Sequence, residues 1–170
     1  EELPADLPTH TKDAPQLFFG VMAPWNRAYR RTLFTEGGIR FATKVWYEDI
    51  RIVTKVLALA EQVVRLPGAY YHYLQREGSA MNNKNCARNV EILYAFDDIL
   101  GWFGEYGLRE AYRDELTFLA ISHLLIAASV RVARIDCKSE LLGQFRDYME
   151  KNFPDFRENR YLPRLDRNKR

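Results

Sequence analysis

Cysteine is scarce: the 170 residues hold two, Cys86 and Cys137, and their separation matches neither a metal-ligand nor a redox spacing. That argues against a zinc-ribbon or disulfide-scaffold class and points to a reduced, cytoplasmic chain, with one disulfide left open. The three histidines, His10, His72 and His123, form no ligand motif with the cysteines. Neither sign of charge dominates, because 25 Lys and Arg stand against 23 Asp and Glu, and a net +2 is too weak to imply nucleic acid. There is no internal repeat and no low-complexity tract. The most apolar run, residues 116–130, contains Ser122 and His123, is shorter than a membrane span and reads as a buried helix. No signal peptide opens the chain, so nothing points to export. Residues 1–15 are acidic and proline-bearing without an initiating methionine, which leads to the expectation of a piece whose N-terminal part is absent.

What is present suits a packed domain. A hydrophobic fraction of 47% with 14% aromatics excludes a disordered chain. Pro4, Pro8 and Pro15 break the first segment into extended or turn-like pieces, and residues 17–22 fit a short helix or a strand equally. Pro24 suits a helix start, followed by Trp25, Ala28, Tyr29 and Leu33 at helical spacing, with Gly37-Gly38 as a left-handed stop. A short extended piece, 39–41, leads to a helix over 50–60 whose apolar face is Val53, Val56, Leu57 and Ala60. Residues 62–66 and 69–75 read as two strands joined by Pro67-Gly68, a short β-hairpin, with Tyr71, Tyr73 and Gln75 on one face. His72, on the other face, reads as a hydrogen-bonded strand residue. A polar loop, 76–86, follows.

Beyond Ala87 the pattern is helical throughout. Val90, Leu93, Phe96, Leu100 and Phe103 mark one stripe, ended by Gly104 and Gly107. A second helix runs from near Leu108 to Ile135, apolar all round its middle, and a third follows Ser139 through Leu142, Phe145 and Met149 to Pro154. The expected fold class is therefore α+β and mostly helical. A mixed portion, 1–85, precedes a three-helix bundle, 86–156, and a basic tail, 157–170, in which Arg157, Arg160, Arg164, Arg167, Lys169 and Arg170 face Glu158 and Asp166.

The stretch Trp46-Tyr47-Glu48-Asp49 opens the 50–60 helix and carries two adjacent carboxylates. Two readings are open. Acids in a first turn cap unpaired N–H groups and complement the helix dipole. A carboxylate at the mouth of a site is also a candidate general base.

Three clusters stand in order: Pro24-Trp25-Asn26-Arg27 with Tyr29-Arg30-Arg31; Ile39-Arg40-Phe41 with Tyr47-Glu48-Asp49; and Tyr71-His72-Tyr73-Leu74-Gln75-Arg76 with Ser79 and Met81. Together they resemble the acceptor half of a family 2 glycosyltransferase of the GT-A fold, over about residues 21–81. The resemblance implies a W-N-K/R-x-Y-R helix, an E-D pair opening a helix and a Y-x-Y-x-x-R-x-x-S segment. It implies Asp49 as catalytic base and Glu48 as the group that orients the acceptor or holds Asp49. Trp25 would stack on the acceptor sugar, with core packing as its other reading, and Asn26 and Arg27 would line the same pocket. Arg76 and Ser79 would lie by the diphosphate, with a solvated loop as their other reading.

The family's nucleotide-binding half, with its D-x-D-type metal motif, has no counterpart here, since Asp97-Asp98 lies in a helical pattern. No metal ligand is therefore assigned in this chain. A divalent metal, Mg or Mn, and a nucleotide-sugar are expected in the parent protein, and the piece is expected to be inactive alone. Expected partners are a sugar acceptor, the nucleotide-sugar through the missing half and a peripheral contact with the inner face of a membrane, with no nucleic acid. A second copy is also expected, forming a two-fold dimer through exposed Phe18, Phe19, Val21, Ile39, Phe41 and the tyrosine strand. The rival reading is a non-enzymatic interaction module, in which three helices present a groove and the basic tail meets an acidic partner or a membrane surface.

Overall fold

The computed structural model describes residue 3, residues 5–74 and residues 86–165; it is mostly helical, with one small antiparallel sheet. The chain forms two compact units, residues 1–44 with 48–85, and residues 45–47 with 86–170.

In the first unit, β1 (Pro8–His10) pairs antiparallel with β2 (Gln62–Val64), Thr9 opposite Val63. The pairing is extended by the Thr11 N–H to the Glu61 carbonyl and by the Thr11 hydroxyl to the Ala60 carbonyl. This corrects the expected hairpin, because β2 pairs with the N-terminal strand and residues 66–74 are not strand. The pairing tolerates Pro8, which stands first in a short edge strand, where a missing donor costs little. Gln75, the last residue of the expected second strand, lies outside the described residues.

Two 3-10 turns, Thr11–Asp13 and Pro15–Phe18, follow β1 and settle the 17–22 ambiguity toward helix, with Phe18 fully buried. The helix expected from Pro24 breaks into a 3-10 turn, Pro24–Asn26, and a four-residue α1 (Thr32–Thr35), because Arg27 is extended at φ −141° and ψ 151°. The stop is as read. Gly38 takes φ +62°, and the Ile39 N–H reaches back to the Phe34 carbonyl at 3.1 Å. At Gly37 a Cβ would meet the Leu33 carbonyl at 2.5 Å and Leu59 Cδ1 at 2.6 Å, so only glycine lets α1 end against α2 (Glu48–Leu59). In α2, Ile50, Ile52, Val53, Val56 and Leu57 are buried, and so are Thr54 and Lys55 between them. Ala60 falls just past the helix end. The surface expected to be bare is partly covered: Phe18 and Ile39 are buried, while Val21 and Phe41 are exposed.

In the second unit, a 3-10 turn, Cys86–Val90, leads into α3 (Glu91–Glu105). Its buried stripe is Ile92, Ala95, Phe96, Ile99, Leu100 and Phe103, so Val90 and Leu93 of the expected stripe sit at its margin. Gly107, at φ +66°, ends it, with the Leu108 N–H on the Phe103 carbonyl at 2.8 Å. Turns over 109–112 delay the next helix, Arg113–Ile135, which comprises α4 (Arg113–Ala120), a π-helical segment (Ile121–Ala128) and α5 (Ser129–Ile135). Residues 115–121 are buried on every side. By length and composition alone the 23-residue helix could cross a membrane, and half of its apolar window is buried in protein. The last helix, α6 (Glu140–Asn152), seals Phe145 and Met149 inside; these helices pack on one another.

Residues 157–165 are not a loose basic tail. The Tyr161 hydroxyl donates to Glu115 Oε1 at 2.5 Å, Arg160 pairs with Asp114 at 2.8 Å, and Asn159 is buried with its amide on the Asp114 carbonyl. Residues 166–170 lie outside the described residues.

Two predictions follow from this packing. Leu124 is fully buried in the π segment, and losing the leucine alone costs about 2–5 kcal/mol. An aspartate there adds a buried unpaired charge, so Leu124→Asp unfolds the protein at room temperature, as circular dichroism will read. The second concerns alkaline pH. Burial, and then the bond to Glu115, push the Tyr161 phenol up to about 12. Folded Tyr161 keeps a proton that the unfolded chain loses near 10, so its contribution is whole below pH 10 and is lost as pH rises through about 12. In urea titrations from pH 9 to 12, Tyr161→Phe will show a shallower decline than wild type.

Candidate functional site

The carboxylate pair is built by α2. Its first turn is Glu48 and Asp49, both half-buried, ahead of a body sheathed by apolar neighbours. Asp49 Oδ1 accepts from the Ile50 N–H at 2.8 Å, so this side chain satisfies one of the donors that a helix start leaves over. This contact meets the capping reading of the pair.

The turn Pro24–Asn26 packs against α2, and so does the turn Pro15–Phe18. Trp25 sits in the first of these with 41% of its surface exposed. Its indole stacks on Tyr71 at 4.7 Å and on Tyr73 at 4.8 Å, the latter within 2° of parallel. Asn26 is exposed. Arg27 is half-buried and donates to the Ala23 carbonyl at 3.2 Å. Burial raises the Tyr29 pKa, with the nearby Arg27 guanidinium acting in the opposite direction, and the Tyr29 hydroxyl makes no well-formed hydrogen bond. Arg51 Nε, one residue past Ile50, is likewise buried without a partner. Trp25, Glu48 and Asp49 are thus held by one helix and the turn packed on it, with Asn26 and Arg27 flanking. Arg76 and Ser79 lie outside the described residues.

Sequence reading missed the side chains around the two residues before Glu48. Tyr47 adopts φ +62°, a left-handed backbone that costs a non-glycine residue about 1–2 kcal/mol. Its hydroxyl donates to Asn89 Oδ1 at 2.9 Å and accepts from Arg131 Nη1 at 2.9 Å. The Trp46 N–H donates to Glu91 Oε2 at 2.6 Å, while Arg88 binds Glu91 Oε1 and lies 4.8 Å above the Trp46 ring. No local pattern announces these contacts, since the partners are 42 to 84 residues away.

Among the described residues, no group of three or more His, Cys, Asp or Glu could hold a metal ion. Asp97 accepts from the Tyr148 hydroxyl at 2.7 Å, and burial followed by that bond raises the Tyr148 pKa above its ordinary range. Within the second unit, a charged cavity of about 640 Å³ lies between the start of α4 and residues 152–159, lined by Arg109, Arg113, Asp155 and Phe156 among others. Comparison of the chain with protein-family models, with curated proteins and with solved structures gave no match.

The aromatic stack makes its own prediction. Aromatic pairs contribute about 0.5–1.5 kcal/mol beyond the area they bury. A double-mutant cycle of Trp25→Ala and Tyr73→Ala, read by urea denaturation, will give a coupling of about that size. A coupling near zero would mean that the two rings do not meet in solution.

Proposed function

We propose that this chain is the acceptor side of a family 2-type glycosyltransferase, passing a sugar from a nucleotide-sugar to a hydroxyl of a glycan or lipid-linked acceptor. The observation that supports this is that the turn of Trp25 packs against α2, the helix that Glu48 and Asp49 open. A partly exposed indole stacked with two tyrosines is an aromatic cluster of the kind that meets the C–H face of a sugar ring.

In this reaction Asp49 takes the proton of the acceptor hydroxyl as that oxygen bonds to the anomeric carbon. The bond from that carbon to the donor phosphate breaks, its electron pair leaves with the nucleoside diphosphate, and configuration inverts. Glu48 orients the acceptor or steadies Asp49, and Trp25, Asn26 and Arg27 form the acceptor pocket. Arg76 and Ser79 are assigned to the departing diphosphate, where a guanidinium neutralises developing charge. Glycosyl transfer of this type also needs a nucleotide site and Mg or Mn. The described residues do not fit that metal, so the chemistry assigned to them is proton transfer and acceptor binding. The acceptor, a nucleotide-sugar and a second copy of the chain remain the proposed partners.

Asp49→Asn in the full-length protein tests this. An amide oxygen can still accept the Ile50 N–H, so thermal stability and donor binding by calorimetry stay near wild type. Turnover falls by about 10²–10⁴-fold, the usual value of general-base catalysis. Near-normal turnover in that variant would remove Asp49 from the mechanism and the proposal with it.

A further inference from the structure

We propose that Cys86 and Cys137 form a reversible modification site, closing to a disulfide that ties the turn Cys86–Val90 to the link between α5 and α6. The site lies wholly within the second unit and is independent of glycosyl transfer.

The two cysteines are far apart in the chain, and both are free thiols. The fold brings their segments together. Cys86 Sγ lies 4.0 Å from Ser139 Oγ. Ser139 ends a tight turn that Asp136 begins, with its N–H on the Asp136 carbonyl at 3.2 Å, and Cys137 is the second residue of that turn. The turn Cys86–Val90 packs on both α5 and α6, the helices that this link joins. Cys137 is therefore the thiol of a four-residue link whose far end already meets Cys86.

Cys86 is the fixed side of the pair. Its carbonyl accepts from Asn89 Nδ2 at 3.0 Å, and Asn89 is fully buried. Asn89 Oδ1 in turn accepts from the Tyr47 hydroxyl, which Arg131 of α5 also binds. Cys137 is the adjustable side. Residues 133–138 are all exposed, and the turn is braced locally, by the Ser139 N–H and by the Lys138 N–H on Asp136 Oδ1 at 2.9 Å. A disulfide needs its two Cα atoms within about 7 Å, and a surface turn can settle to that distance without uncovering any core.

Access decides which sulfur reacts first, and Cys137 is exposed where Cys86 is half-buried. The Cys137 thiolate attacks one sulfur of a low-molecular-weight disulfide, which gives a mixed disulfide and releases one small thiolate. The Cys86 thiolate then attacks the Cys137 sulfur, the second small thiolate leaves, and the Cys86–Cys137 bond is made. The two protein thiols are oxidised by two electrons, and the small disulfide is reduced to two thiols that carry off the two protons. Excess small thiol reverses both steps, so the site follows the thiol-to-disulfide ratio around it. Closure puts α3, α4 and α5 in one covalent ring, which narrows the unfolded ensemble.

The test treats the whole reduced protein with oxidised glutathione under native conditions. Both thiols should vanish from titration without linking copies, and a non-reducing tryptic digest should join peptide 85–88 to peptide 135–138. Closure of the mixed disulfide runs roughly ten-fold or more faster in folded protein than in urea, because the fold supplies the proximity. The oxidised form melts roughly 5–10 °C higher, and dithiothreitol removes the gain. Cys86→Ser and Cys137→Ser each stop at a single glutathione adduct and gain nothing. A stable adduct on each cysteine of the native protein, linkage only between copies, or closure no faster folded than in urea overturns the site. So does a lower melting temperature on closure, which would mean that the bond distorts the fold.

Discussion

The burial of α2 is the constraint on which the first unit depends. From Ile52 to Leu57 the helix is covered on every side, including at Thr54 and Lys55, and each large apolar side chain withdrawn from water contributes about 1.5–3 kcal/mol. A helix sheathed in that way has one place for anionic groups that stay near solvent, its first turn. There the unpaired N–H groups and the dipole favour negative charge. Glu48 and Asp49 occupy that turn. What satisfies the helix end also keeps a half-buried carboxylate in that first turn. The same burial explains the glycine at 37, where α1 closes on Leu59 with no room for a methyl group.

Elements set by local chemistry were legible from the residue string. The helix of the acidic pair, the stops at Gly38 and Gly107, and the α6 start after Ser139 all rest on contacts within a few residues. Elements set by distant partners were not. The strand at 62–64 is real, yet its neighbour is the segment at 8–10, and nothing in Pro8-Thr9-His10 marks it as such. Residues 69–75 have strand composition, but through Leu74 the structure shows no ladder, and Tyr71 and Tyr73 instead brace Trp25. The spacing of Trp25, Ala28, Tyr29 and Leu33 fits a helical face, and one extended residue, Arg27, undoes it. Phe18 and Ile39 are buried, and no local pattern in the sequence marks them as covered.

The site divides along the same line. The Trp25 platform and the acidic pair were visible as motifs, since aromatic and carboxylate residues carry their chemistry in their type. The Tyr47 hydroxyl network was invisible for two reasons. Left-handed backbone is usually signalled by Gly or Asn, and a tyrosine there gives no hint. Its partners, Asn89 and Arg131, come from a helical unit whose sequence otherwise reads only as packing.

Energetics show why that network can persist. The left-handed residue costs about 1–2 kcal/mol, and a neutral hydrogen bond returns about 0.5–1.5. The bond to Asn89 alone would barely offset the strain. The bond from Arg131 is charge-assisted, at about 1.5–3 kcal/mol, and turns the balance favourable. Removing it would also leave a half-buried guanidinium short of one acceptor. Strain at Tyr47 and charge at Arg131 are thus coupled, and neither residue can be exchanged singly without cost. Arg51 is the opposite case. Its buried Nε has no acceptor, a shortfall of about 1–3 kcal/mol in the protein alone. Among the described residues nothing offsets that shortfall.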